Sequence, residues 1–431
     1  MKIRKITAVI IASALSAVLL SACGTGSTGK ADGAGGPESP AGNSAAAGNS
    51  ENEETEPAGE IETTAAATET SGGNMDITAA ELASEMTIGW NVGNSLDAMG
   101  EGINSETGWG NPKISEALIR SVKEAGFNTL RIPVTWQGHY GEAPDYKIDD
   151  EWLARVKEVV DYAIENDMYA IVNVHHDGAD TDTSWLTPVP DDEEAMVGQF
   201  TKIWEQIAEY FKDYDERLIF AGMNEFHHGY GNPTAAYLAL TDRLNQTFVD
   251  TVRASGGNNE QRILIVQGYN TNGEHTLKMT VPTDSAANKL MVEFHFYDPY
   301  TYALQGNGDW GVNGVKKDNW GQEDWVDNIF GRAKKQFVDN GIPVVIGEYG
   351  AVLNKDGNDD FRRYYIEYVT KAAKENGLLP IYWDNGYDGT NGEGFAIFDR
   401  ATGAKLHEDI HEGMMRAVSG EDYEIPLPTA E

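Results

Sequence analysis

The chain has 431 residues, a formal net charge of −37 and a single cysteine. Its length admits two or three average domains, or one barrel with extensions. The basic start adds +3 and residues 24–74 carry −8, which leaves about −32 for residues 75–431. A surface this acidic repels nucleic acid and anionic polymers such as pectin, so a neutral polymer is the compatible partner.

Lys2, Arg4 and Lys5 precede an apolar run over residues 6–20, and Leu20-Ser21-Ala22-Cys23 follows. Fifteen apolar residues are too few for a spanning helix, which needs about 20, and the pattern reads as an export signal. Leu-Ser-Ala-Cys resembles the lipobox of bacterial lipoproteins, which implies a signal peptide over 1–22 and a lipidated Cys23. The expected location is the extracytoplasmic face of a bacterial membrane. Residues 24–74 contain no aromatic residue and one large aliphatic, Ile61. Nothing there offsets the entropy of ordering, so 23–76 reads as a flexible tether with a reach of roughly 40 Å.

From residue 77 short apolar runs recur at 86–92, 128–134, 169–174, 218–223, 263–267, 290–296, 343–347 and 379–383. They are continuous rather than alternating, as in strands buried on both faces of a parallel sheet. Amphipathic stretches separate them. Ile114, Leu118, Val122 and Ala125 share one helical face, as do Trp152, Val156, Val159 and Ala163. Further helices are expected near 193–212, 234–255, 322–340 and 358–376, whereas 274–280 is too short for a full one. Eight such units predict a single (β/α)8 barrel over 77–420 with a tail at 421–431; a doubly wound sheet is the alternative.

Chemistry in such a barrel gathers at the C-terminal strand ends. Those ends carry Asn91, Arg131, His175 with His176, Asn224 with Glu225, His295 with Tyr297, Glu348, and Trp383. One chance polar end is unremarkable, but seven on one rim point to a site. No His-Glu-x-x-His spacing, Gly-x-Ser-x-Gly elbow or Gly-x-Gly-x-x-Gly turn is present, so no metal or cofactor is expected. Glu225 and Glu348 lie on the fourth and seventh runs, roughly across the barrel mouth. Two facing carboxylates suit glycoside hydrolysis. Trp109, Trp136, Trp185, Trp310 and Trp383 are expected on the rim as flat surfaces for sugar rings, and Trp152 and Trp204 in the core.

The ordered set Gly-Trp-Asn-Val-Gly-Asn-Ser-Leu-Asp, Leu-Arg-Ile-Pro-Val, Val-Asn-Val-His-His, Ala-Gly-Met-Asn-Glu, His-Phe-Tyr, Gly-Glu-Tyr-Gly and Tyr-Trp-Asp-Asn resembles glycoside hydrolase family 5. The likeness covers about residues 78–415 and is strongest to the endoglucanases and xyloglucanases of subfamily 4. It implies a retaining endo-β-1,4-glucanase, with xyloglucan, mixed-linkage glucan or mannan as alternative polymers. A sugar-capturing lipoprotein without activity is the rival from another class. The resemblance makes Glu225 the acid/base and Glu348 the nucleophile. Asn224 would hold the sugar 2-hydroxyl, and Arg131 and Tyr297 would keep Glu348 ionised. His175 and His295 would orient these groups, and Trp383 would floor the subsite of the sugar under attack. Asn91, Trp136 and His176 are expected at the glucan. His227 and His228 have no assigned role, and the enzyme is expected to act as a monomer.

Overall fold

The computed structural model describes residues 73–428 except 101–103, 179–180, 182–183, 312–319, 354–358 and 391–392. The basic start, Cys23 and most of the tether lie outside the described residues. Eight parallel strands close into one barrel in chain order: β1 Gly89–Val92, β2 Thr129–Ile132, β3 Tyr169–Asn173, β4 Leu218–Ala221, β5 Leu264–Asn272, β6 Leu290–Phe296, β7 Val344–Tyr349 and β8 Leu378–Asp384. β8 returns to β1, with Asn91 opposite Trp383. The doubly wound alternative is therefore excluded.

Amphipathic helices cover the outside because their apolar stripes match the outward faces of the strands. Helix α1 spans Ala79–Glu85 and α2 Glu116–Glu124, where Leu118, Ile119 and Val122 are buried and Ser115 caps the Leu118 amide. Helix α3, Asp150–Glu165, buries Trp152, Val156, Val159, Val160 and Ala163. The large outer helices α4 (Glu193–Phe211) and α5 (Ala235–Ala254) follow β3 and β4. After β5 comes only a single turn, α6 (Gly273–Thr276). It presses directly on the strand: a Cβ on Gly268 would lie 2.4 Å from Thr276 Cα, so only glycine permits the approach. A second single turn, α7, spans Tyr300–Ala303, and α8 (Glu323–Gln336), α9 (Asp359–Glu375) and α10 (Glu408–Val418) complete the layer.

The inside of the barrel is divided in two. Toward the N-terminal end, Ile171, Ile219, Ala221, Ile265, Met291, Val345, Leu379 and Ile381 form an apolar cluster, closed by Ile77, Ala79, Leu82 and Met86 of the α1 segment. This plug was not expected from the sequence. A capping box between Thr78 and Glu81 starts α1, and Leu82 is completely buried. Above the plug the inward positions turn polar: Asn91, Arg131, Asn173, Gln267 and Glu293 are all buried. The continuous apolar runs of the sequence are thus apolar throughout only on their outward faces.

Candidate active site

Strand alternation aims Arg131 up the barrel axis, and its guanidinium organises the rim. Nη1 donates to Asn91 Oδ1 and Glu348 Oε1, each at 2.9 Å. Nη2 donates to Asn224 Oδ1 at 2.7 Å and faces Glu293 Oε1 at 3.0 Å. Asn91 is anchored in turn by donating Nδ2 to the Gly347 carbonyl at 2.8 Å. Arg131 is wholly buried, which is tolerable because both terminal nitrogens have oxygen partners.

Glu348 sits inside β7 rather than beyond its end. Its Oε2 accepts the Tyr297 hydroxyl at 3.0 Å, and its Oε1 lies 3.9 Å from His175 Nε2. Burial raises the Glu348 carboxyl above the usual carboxylate range. His295 and Arg131 pull against burial, Glu225 adds to it, and Tyr297 pulls back. Arg131 and Tyr297 thus favour the ionised form of Glu348, against a desolvation that favours the neutral one.

Glu225 follows β4 and has a positive φ of 44°, a left-handed conformation that costs energy in a residue with a Cβ. His227 stabilises it. Its Nδ1 lies 2.5 Å from the Glu225 carbonyl, so Nδ1 is the donor, and Nε2 is buried with no partner among the described residues. His227 is therefore a clasp on the loop. His228 belongs to the same loop, and its amide donates to the Tyr269 hydroxyl at 2.9 Å.

His295 links the two glutamates. Nδ1 lies 2.9 Å from Glu225 Oε1 and 3.5 Å from Glu348 Oε2, and Nε2 lies 3.3 Å from Glu293 Oε1. Burial opposes charge on this imidazole, yet Glu348, Glu225 and Glu293 together push it up to about 9. His175 goes the other way: burial and the charges of His176, Arg131 and His295 hold it well below the usual histidine value. Asn173 accepts the Val134 amide through Oδ1, so its Nδ2 donates to His175 Nδ1 at 3.0 Å. Neutral His175 consequently carries its proton on Nε2, toward Glu348.

Ligand-type oxygen and nitrogen atoms of Glu225, His295 and Glu348 all lie within 4.8 Å of one another. Asp97, His175 and His176 form a second such group. Asp97 there accepts the Asn94 amide at 3.0 Å and the Ser95 amide at 2.6 Å, so hydrogen bonds within the protein account for its burial.

The sequence model of the cellulase family, glycosyl hydrolase family 5, matches residues 96–389. The chain is 40% identical over 364 residues to endoglucanase A of Paenibacillus barcinonensis, covering 79% of this chain and 90% of that protein. The chain belongs to glycosyl hydrolase family 5. Among solved structures, a family 5 xyloglucanase from Paenibacillus pabuli superposes with a TM-score of 0.75 at 40% identity, covering 78% of this chain and all of that one. A GH5-4 broad specificity endoglucanase from Bacteroides salanitronis gives 0.75 at 42%, covering 80% and 96%.

Within this family 5 chain the aromatic residues divide differently from expectation. Trp383 lies parallel to His175, with ring centroids 5.9 Å apart, and Gly93 leaves room for its indole: a Cβ there would stand 2.6 Å from the ring. Trp109 is the exposed member, 5.5 Å from the His176 ring. Trp185 is half-buried, its Nε1 donating to Asp177 Oδ1 at 2.8 Å. Trp136 is fully buried and donates Nε1 to the Asn173 carbonyl at 2.9 Å, so it offers nothing to a glucan. Trp310 is likewise buried, against Tyr364, Tyr365 and Tyr368. Asn91 is buried beneath the rim and holds Arg131 instead of sugar. Trp152 and Trp204 are core residues, as expected.

Sequence reasoning missed three groups. Glu293 lies inside an apolar run, yet it stands two residues before His295 and shares its face. Asn173 stands two residues before His175 in the same way. Glu393, after β8, is pushed up to about 7 by burial and by the charge of Glu225, and no spacing in the sequence marked it.

Proposed function

We propose that the chain is a retaining endo-β-1,4-glucanase in which Glu225 is the acid/base and Glu348 the nucleophile. The observation that carries this is the approach of the two carboxylates, whose oxygens come within 4.8 Å. Retaining glycosidases hold this pair about 5 Å apart, whereas inverting ones leave room for a water. Glu348 attacks the anomeric carbon while Glu225 protonates the departing oxygen, giving a glycosyl ester and a free chain end. Glu225, now a carboxylate, takes a proton from water, which displaces Glu348 from the same carbon. Asn224 has its Oδ1 engaged by Arg131, and its amide N–H groups suit the sugar 2-hydroxyl. Trp383 and Trp109 provide flat surfaces, and His176 lies between the two regions.

Azide decides the role of Glu348. A Glu348→Gly variant given an activated aryl β-cellobioside and azide should yield the α-glycosyl azide. A β-azide product, or full activity of the variant without azide, would overturn the assignment.

Xyloglucan is the second substrate reading, supported by the likeness to the Paenibacillus pabuli xyloglucanase. The glycine-rich composition of the loop at 306–314 supports room for xylose branches, and its residues 312–314 lie outside the described residues. Reducing-sugar release from cellulose, xyloglucan, mixed-linkage glucan and mannan orders the substrates.

The lipobox-like Leu20-Ser21-Ala22-Cys23 supports anchoring through a lipidated Cys23, with the tether holding a monomeric enzyme at the cell surface. Cys23→Ala should release active protein into the medium; continued membrane retention would refute the anchor.

A further inference from the structure

Resting on the two-glutamate reading, we propose that Glu293 is a positioning residue for hydrolysis. It is one buried carboxylate that secures Arg131 and His295 from below, so that Arg131 stays on Glu348 and His295 on Glu225.

Glu293 has no exposed surface. Its Oε2 accepts from Gln267 Nε2 at 2.8 Å, while Oε1 faces both Arg131 Nη2 at 3.0 Å and His295 Nε2 at 3.3 Å. The barrel makes room for it: a Cβ on Gly347 of β7 would stand 1.8 Å from Oε1. Neutralising Arg131 does not by itself require this carboxylate, because Glu348 already pairs with that guanidinium. Orienting His295 does require an acceptor below the ring. Arg131 Nη2 also lies 3.5 Å from His295 Nε2, but Asn224 Oδ1 at 2.7 Å and Glu293 Oε1 at 3.0 Å are its nearer partners. Glu293 Oε1, a carboxylate oxygen that can only accept, is the nearer partner of Nε2 at 3.3 Å and takes its proton.

With a proton held on Nε2 by Glu293, the other nitrogen, Nδ1, is free to exchange its proton with Glu225 Oε1 across 2.9 Å. When Nδ1 carries the proton, Glu225 is a carboxylate; when the proton crosses, His295 becomes neutral and Glu225 an acid. One proton thus serves both groups, and none is gained or lost. Among the described residues, the charged and titratable groups set against His295 are Arg131 of β2, His175 after β3, Glu225 after β4, Glu293 of its own strand and Glu348 of β7, while Tyr297 and Glu393 act on Glu225 and Glu348 in turn.

The test uses the full chain with Glu293→Gln and Glu293→Asp on a soluble β-1,4-glucan. Glu293→Gln should lower kcat by roughly 10- to 100-fold, with KM changed less than about threefold, as expected for losing a charged hydrogen-bond partner. The alkaline limb of its kcat profile should move down by about one pH unit, since a neighbouring anion is removed. Glu293→Asp should restore part of that shift. Unchanged kcat and an unchanged alkaline limb in Glu293→Gln would overturn the proposal. Should the variant not fold, imidazole ¹⁵N shifts of the wild-type enzyme decide. A protonated Nε2 on His295 through neutral pH supports the proposal, and a bare Nε2 ends it. Glu225→Gln separates the two readings. If that variant is inactive while Glu293→Gln is normal, only the present inference fails. If Glu225→Gln is fully active, the two-glutamate reading fails first.

Discussion

The two ends of the barrel interior are built on opposite physics. The N-terminal end is closed by α1 over Ile171, Ile219, Ile265, Met291, Val345 and Ile381, an apolar cluster at whose edge Lys289 Nζ donates to the Ile77 carbonyl at 2.5 Å. The C-terminal end buries Arg131, Glu293, His295 and Glu348 within hydrogen-bond reach of one another. Apolar packing stabilises without specifying one arrangement of polar atoms, whereas buried charges are costly unless every partner is in place. The plug therefore supports the fold, and the charged layer spends part of that stability on holding two carboxylates close together.

Breaking the charged end should cost activity far more than stability. Glu225→Gln and Glu348→Gln should each reduce hydrolysis of natural glucan by about 10³-fold or more, with a cooperative melt retained by circular dichroism. Loss of the melt in both would mean that these carboxylates hold the fold together, against the division drawn here. Breaking the plug should do the reverse. Leu82→Ala should destabilise by about 2–5 kcal/mol, the range for emptying a buried leucine site. Denaturant melts measure it, and the folded fraction should keep its kcat.

Asn91→Ala sharpens the comparison at the boundary between the layers. It removes one acceptor from Arg131 and an anchor to Gly347, and kcat should fall about tenfold, within the range for one hydrogen bond to a charged group. An unchanged kcat would show that Glu348, Glu293 and Asn224 suffice to aim the guanidinium.

The smallest effect is graded with pH. His295 is raised from 6.5 to about 9 in the folded enzyme. Folding therefore favours its protonated form, and the resulting stability is complete below about 6.5 and lost as pH rises through about 9. The melting temperature should decline across that window, less so in His295→Gln. Equal declines in the two proteins would assign the slope to other groups.

Much of the site was legible because a carboxylate ending an apolar run is conspicuous. Glu225 and Glu348 stood out in this way, Arg131 and His295 as polar members of the second and sixth runs, and the structure brings the four together. Glu293 was hidden by the same logic, since a run treated as apolar on both faces conceals the one inward charge. Its spacing of two from His295 was the available signal. Trp310 was misplaced because an indole in a loop packs on tyrosines or faces solvent with the same local sequence. Helix α1 escaped notice because seven residues with one fully buried leucine, Leu82, make a weak periodic pattern.

The sequence by itself determined the eight-strand rhythm, the family resemblance and the two glutamates, because periodicity and strand-end chemistry are local properties of a chain. Only the closed barrel decided which polar groups share a hydrogen bond. Closure sets Glu293 against Arg131 and His295, buries Asn91 and Trp136 away from the glucan, and lifts Glu348 by desolvation. Burial and distance across the barrel depend on segments far apart in the chain, and no stretch of sequence carries them alone.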